Sequence, residues 1–249
     1  MRNFIKKISF CGRLTPKIGK RRKQHKNDAD LKTLSLQDEA WKLDRSTRLF
    51  EKKARAHSEF FKQPLVFYNI FERFNVFDYY CRDKKVLHIG CTDYPVFNSE
   101  SNLHILLSKL AKEIHGLDVD KEGIQILKKY VDQPYYSSVD ELESQYDVCL
   151  IPEVIEHVND LGLFLRDISK IEAEVFIITG PNAFSKAHID RNYLKSGKLS
   201  LEINHADHNC WFSPYTLKNS IEKYSLLKVE KTYLMNNQTM VCCICVKRK

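Results

Sequence analysis

The sequence predicts an α/β fold: a mostly parallel seven-stranded sheet covered by helices on both faces, with an antiparallel final strand and an N-terminal helical extension. Three observations predict it. Short apolar runs alternate with helix-period stretches from Lys84 onward, the pattern of successive strand–helix–strand units. The first run, Val86–Ile89, stops at Gly90, where a chain turning over a sheet edge needs backbone freedom. The last two runs, Leu226–Leu234 and Thr239–Val246, are joined only by Met235–Gln238, a link too short for anything but an antiparallel pair.

The elements follow in order. Asn102–Lys112 carries Leu103, Leu106, Leu107 and Leu110 at helical spacing, and Ile114–Val119 is a second strand flanked by Asp118 and Asp120. Glu122–Tyr130 is predicted helical, Pro134–Val139 is a third strand, and Tyr146–Ile151 is a fourth. Leu161–Ile171 is a helix capped by Asn159 or Asp160, and Val175–Thr179 is a fifth strand ending at Gly180–Pro181. Ser213 caps the last helix, with Pro214 in its first turn. Upstream of this body, Gln37–Phe61 has few helix breakers, and the aromatic-rich Leu65–Tyr80 is predicted to be a helix packed on the body. Three regions result: a basic, flexible arm at 1–30, a helical segment at 31–83, and the α/β domain at 84–249.

Composition narrows the classes of function. The net charge of +8 is concentrated, since residues 1–27 hold ten Lys or Arg and no Asp or Glu, leaving about −2 for the rest. The arm therefore suits an anionic membrane or nucleic acid, or is a solvated tail. No apolar run approaches the roughly 20 residues that cross a bilayer. The eight cysteines fall mainly in predicted strands, so reduced thiols in a cytoplasmic protein are expected, possible contact being with the inner membrane face. Cys242 and Cys245 form a CxxC inside the apolar run VCCICV and are read as strand core, with no second pair to complete a zinc site.

A strand, a glycine turn, a helix and a second strand ending in an acid make the first half of a nucleotide-binding α/β domain. A dinucleotide site needs a second glycine against the pyrophosphate, but Gly90 is followed by Cys91, Thr92, Asp93, Tyr94 and Pro95. That argues against NAD or FAD and suits a ligand with a ribose and no phosphate. With this the chain resembles class I S-adenosylmethionine (SAM)-dependent methyltransferases, which have a Rossmann-like sheet. HIGCTDYP, GLDVDKEGI, PEVIEHV, GPNAFS and DHNCWFSPYTL, in that order between Lys84 and Tyr224, resemble more narrowly a bacterial group often found among surface-polysaccharide genes. The resemblance implies SAM as cofactor. It places Gly90 and His88 against it, Asp118 and Val119 at the ribose, Ser138 and Val139 beside the adenine, and Ile151 and Pro152 below the methionine part. This chain departs from the common pattern in three ways. His88 replaces an acid, Thr92 and Tyr94 replace glycines, and Ser138 stands where an acid often contacts adenine.

Methyl transfer asks the protein to align three atoms and to remove a proton from the acceptor. Glu153, Glu156 and His157 share one face if PEVIEHV is helical, and with His208 or His205 of INHADHNCW they suit a divalent metal, Mg²⁺, Mn²⁺ or Zn²⁺. A similar EVIEH with a downstream DH binds metal in the small-RNA terminal 2′-O-methyltransferases. Without a metal, His208 is the expected general base, with Glu153 and His157 as further catalytic candidates. Asn182 either orients the acceptor or satisfies loop backbone, and Trp211 and Phe212 are read as core anchors. The expected activity is O-methylation of a sugar, a glycan or a related hydroxyl acceptor. The alternatives are a metal-assisted RNA 2′-O-methyltransferase and a non-catalytic partner protein that keeps the fold.

Overall fold

The computed structural model describes residues 65–70, 72–93, 96–186, 193–196, 199–202 and 205–248. The arm at 1–30 and the helical segment expected up to Phe61 lie outside them. Ten strands and five helices are described: β1 Phe67–Asn69, α1 Arg73–Cys81, β2 Lys85–Ile89, α2 Leu103–Ser108, β3 Glu113–Leu117, α3 Lys121–Leu127, β4 Tyr135–Tyr136, β5 Tyr146–Ile151, α4 Leu161–Ile168, β6 Ala173–Pro181, β7 Tyr193–Ser196, β8 Leu199–Glu202, α5 Pro214–Tyr224, β9 Leu227–Met235 and β10 Met240–Lys247.

Eight strands form one sheet in the order β1-β9-β10-β6-β5-β2-β3-β4. β10 runs antiparallel to both its neighbours, β6 and β9, and the other pairings are parallel. The seven expected strands are all present, in a Rossmann-like arrangement. The antiparallel end follows from the turn between β9 and β10, where Asn236, Asn237 and Gln238 all have positive φ, a left-handed run that reverses the chain at once.

The eighth strand corrects the reading of Leu65–Tyr80 as one helix. Phe67–Asn69 pairs with Thr232–Leu234 of β9, and the helix begins only at Arg73. Aromatic residues favour strands as readily as helix faces, and the open edge of β9 supplied the hydrogen bonds that decide between them. β7 and β8, a separate antiparallel pair, fall in a stretch where no strand was expected.

Both faces of the sheet are covered. Along β10, Val241, Cys243 and Cys245 pack on the side of α4 and α5, and Cys242 and Ile244 on the side of α1 and α2. All four residues Cys242–Cys245 are buried, so the CxxC is strand core as expected, and the seven described cysteines are free thiols. Caps delimit the helices: Asn102 accepts from Ile105 N, Asp160 from Leu163 N, and Ser213 forms a capping box with Thr216. No helix among the described residues is long and apolar enough to cross a membrane.

Strand order positions the site. β2 lies between β3 and β5, so the connections leaving it run to opposite sides, and a crevice opens at the carboxyl ends of β2, β3 and β5.

Candidate functional site

Gly90 lies at the centre of that crevice. It follows β2, has φ +75°, and its N–H donates to Leu117 O at 2.8 Å. A Cβ there would stand 2.3 Å from Val154 Cγ2, so both the conformation and the space demand glycine. Two cavities of about 550 and 570 Å³ meet at this point, with Gly90, Asp118, Val154 and His157 lining both.

The first cavity is the more polar of the two. His88, Asp93, Glu153, His205 and Asp207 line it, with Arg73 from the start of α1. The second is mostly apolar, walled by Val119, Val139, Leu163 and Phe164, with Ser138 at its rim. Of the residues expected to hold a cofactor, His88, Gly90, Asp118 and Pro152 thus line the polar cavity. Gly90, Asp118, Val119, Ser138 and Val139 line the apolar one. Ile151 lines neither: it is fully buried in the core beside α4 and α5.

Asp118 is more occupied than a simple ribose acceptor. Its Oδ2 accepts from Thr92 N at 3.1 Å and Thr92 Oγ1 at 3.0 Å, and its Oδ1 accepts from Asp120 N at 3.0 Å. A carboxylate offers about four acceptor positions, so roughly one remains, and bidentate capture of two hydroxyls requires the Thr92 hydroxyl to turn away. Thr92, which stands where the family pattern has glycine, therefore braces the turn onto β3.

His88 is buried, and its Nδ1 lies 3.2 Å from Nδ1 of buried His104, the rings stacked at 5.4 Å. Burial drives both imidazoles to the neutral form, His104 down to about 4, and His104 beside it and the Arg73 charge push His88 further the same way. Nε2 of each has no hydrogen-bond partner among the described residues.

The segment after β5 corrects the expectation for PEVIEHV. It is a turn, not a helix: Glu153 has φ +52°, and His157 N donates to Val154 O in a single tight bend. Glu153, Glu156 and His157 therefore do not share a helical face. Glu153 Oε1 accepts from Thr179 Oγ1 at 2.8 Å, and the same hydroxyl accepts from Glu153 N at 3.0 Å. Glu156 turns inward and is 1% exposed, its Oε1 4.0 Å from His208 Nε2. Burial raises the pKa of both carboxyls, and Glu153 raises that of Glu156 further.

His157 instead meets His205 and His208, with ring centroids 5.2 and 4.7 Å away. One ligand atom from each of the three falls within 4.8 Å of the others. The loops carrying them are tied together, since Asn209 N donates to Glu156 O at 2.7 Å and Asn209 Nδ2 to His157 O at 3.1 Å. Three nitrogen donors fit Zn²⁺ or a similar ion and do not fit Mg²⁺, which takes oxygen ligands. Of the residues expected as metal ligands, His157 and His208 are brought together with His205, Glu156 lies behind His208, and Glu153 is turned to Thr179. Burial and the neighbouring His205 lower the pKa of His157, leaving a lone pair for a proton or an ion.

Asn182 donates through Nδ2 to Gln238 O at 2.8 Å and accepts from Phe184 N, the loop-satisfying role. Phe212 is buried in the core, whereas Trp211 is half-buried with its ring edge toward His208 at 6.0 Å. Arg73 and Asp93 were not among the residues expected at the site. Arg73 is a cation set among the aromatics of FERFNVF, the one signal that could have marked it.

No protein-family model matches this sequence, and no curated protein matches it in sequence. Solved structures do match. A SAM-dependent methyltransferase from Aquifex aeolicus is 12% identical, covers 83% of this chain and 100% of that chain, and superposes with a TM-score of 0.51. A TehB-like SAM-dependent methyltransferase from Corynebacterium glutamicum is 13% identical over 82% of this chain and 98% of its own, with a TM-score of 0.48. Magnesium protoporphyrin IX methyltransferase from Synechocystis, solved with bound S-adenosylhomocysteine, is 15% identical over 70% and 79%, with a TM-score of 0.44. On the Aquifex likeness and its own strand order, this chain has the Rossmann-like fold of the SAM-dependent methyltransferases.

Proposed function

We propose that this protein is a SAM-dependent methyltransferase that O-methylates a hydroxyl acceptor, a sugar or glycan. The observation that carries this reading is the pair of unlike cavities meeting at Gly90. The apolar one suits an adenine ring, Asp118 stands at the junction where a ribose would lie, and the polar one suits an amino-acid end. Of the histidine cluster, His157 stands at the junction and His205 lines the more polar side. SAM is the ligand whose parts follow that order, and it supplies a methyl group already activated on sulfur.

The chain's own part is alignment and proton removal. Gly90 lets the ligand lie against the backbone, and Asp118 and Pro152 bound it at the strand ends. His208 is held between Glu156 and His157 and takes the acceptor's proton on its imidazole. His157, His205 and His208 would hold an ion such as Zn²⁺, which would supply Lewis-acid activation of an acceptor hydroxyl. This metal-assisted variant is the one associated with RNA acceptors, and the basic residues 1–27 would then contact phosphate.

Calorimetry with S-adenosylhomocysteine tests the cofactor, and micromolar binding is expected. An acceptor screen of sugars, glycans and RNA, with and without chelator, tests the rest. Methylation of sugars unaffected by chelator supports the leading version, whereas chelator-sensitive methylation of RNA selects the second. Absence of binding by the folded protein would leave a non-catalytic partner protein.

A further inference from the structure

The turn that follows β6 holds a large aromatic ring in the open. Phe184 is 76% exposed, yet the backbone that carries it is pinned. Asn182 N donates to Thr239 O at 2.8 Å, Ala183 N to Phe212 O at 2.9 Å, Phe184 N to Asn182 Oδ1 at 3.3 Å and Ser185 N to Asn182 O at 3.1 Å. A single exposed apolar side chain is ordinary on a protein surface. Phe184 differs because a run of bonded N–H groups fixes its turn at the carboxyl end of the sheet, the end where the crevice opens.

The loop from His205 to Phe212 joins this turn to the histidine cluster. Toward one end Asn209 N donates to Glu156 O, and His208 meets His157 with ring centroids 4.7 Å apart. At the other end Phe212 pairs with Asn182 in a parallel bridge. Trp211 sits between the two, half-buried, its ring edge-on to that of His208. An acceptor that places a hydroxyl at His208 thus has Trp211 beside it, and the turn bearing Phe184 next along the loop.

Charge narrows what that acceptor is. The more polar cavity is lined by five carboxyl groups, those of Asp93, Asp118, Asp120, Glu153 and Asp207, and among the described residues by one Lys or Arg, Arg73. Such a lining repels a phosphate chain and admits an uncharged molecule. A pyranose ring is uncharged, and the C–H bonds on its face carry the partial positive charge that suits the negative face of an aromatic ring.

We propose that Phe184 and Trp211 form an aromatic platform that receives one face of an uncharged pyranose ring and turns its hydroxyl toward His208. The inference rests on the methyltransferase reading and adds to it the residues that select the acceptor.

The sequence has two tryptophans, Trp41 and Trp211, so Trp41→Phe leaves Trp211 as the sole tryptophan emitter. The full-length Trp41→Phe chain, saturated with S-adenosylhomocysteine, is titrated with a panel of methyl hexopyranosides and with oligouridylate while its emission is followed. At least one hexopyranoside is expected to change the emission saturably. Phe184→Ala in this background should weaken that sugar about three- to tenfold, whereas Phe184→Tyr, which keeps the ring, should stay within about twofold. Affinity for S-adenosylhomocysteine and melting temperature should be the same in both variants as in their parent. Saturation-transfer NMR on chains that keep Trp41 repeats the comparison independently of that substitution. Binding of no hexopyranoside, or equal sugar affinity in Phe184→Ala, would overturn the platform while leaving cofactor binding in place. Sugar binding by NMR with no change in Trp211 emission would overturn the part given to Trp211. Oligouridylate bound more tightly than every sugar, and weakened by Phe184→Ala, would overturn the sugar assignment in favour of a stacked base. Failure of wild type to bind S-adenosylhomocysteine would overturn the methyltransferase reading itself.

Discussion

The two cavities that meet at Gly90 are nearly equal in volume, and one carries many more charged and polar side chains than the other. The apolar one is built from side chains that ordinary packing supplies, Val119 and Leu163 remaining well exposed on its wall. The polar one is assembled at a local cost. Two of the acids that line it are in left-handed conformations, and the buried imidazole of His88 is kept neutral. Strain and buried polar groups persist where the rest of the fold compensates for them, and they concentrate on one side of the glycine. The difference teaches that recognition of shape and placement of chemistry are divided between the two halves.

The largest expected effect lies in the polar half. His208→Ala should lower turnover by about 10²–10⁴-fold, the usual contribution of a positioned base, while S-adenosylhomocysteine affinity stays within about twofold. Full turnover on the true acceptor would remove His208 from the mechanism and leave His157 and Glu153. If chelator abolishes activity as well, Zn²⁺ should restore it better than Mg²⁺, because the three donors are imidazoles.

The buried histidine pair gives the next effect, on stability. The folded-state pKa of His88 and of His104 is depressed, His104 to about 4. Below about pH 6.5 the unfolded chain protonates these imidazoles and the folded chain does not, so stability present above pH 6.5 is lost as pH falls toward 4. The slope is about 1.4 kcal/mol per pH unit for each group. Urea midpoints at pH 7.5 and 5 should differ less in the His88→Gln/His104→Gln double variant than in wild type. Parallel profiles would show that the pair titrates normally.

Gly90→Ala probes the junction that both halves share. Left-handed backbone costs a residue with a Cβ about 1–2 kcal/mol, before the contact with Val154 is relieved. Affinity for S-adenosylhomocysteine and for 5′-methylthioadenosine should fall together. Loss of only one would mean that the cavities hold separate ligands. The smallest effect belongs to the apolar half: Leu163→Ala, on a side chain 49% exposed, should weaken both ligands by only about 1 kcal/mol and leave turnover at saturation unchanged.

Much of the fold was legible because periodicity and punctuation agreed. Tyr146–Ile151 is a strand over the expected residues, Asp160 and Ser213 cap the helices they were expected to cap, and the short final link forced an antiparallel pair. Phe67–Asn69 was not legible, because its aromatics satisfy either period and the deciding partner, β9, lies some 160 residues away. The site was legible in part. Gly90 and Asp118 follow from the strand–turn–helix–strand order, but the reach of Arg73 into the cleft depends on where α1 docks.

The sequence by itself determined the order of the elements from β2 to β6 and from α5 to β10, the glycine at the crevice, and the residue types gathered around it. These depend on neighbours within a few positions, through backbone freedom, capping and hydrophobic period. Only the tertiary structure decided that Glu156 turns inward, that His157 meets His205 and His208, and that Arg73 lines the same cavity as Asp93 and Glu153. Each of those outcomes depends on a turn after β5 that a helical period cannot foresee. The loops that converge there are far apart in the chain and are brought together by the burial of the sheet between its two helical layers.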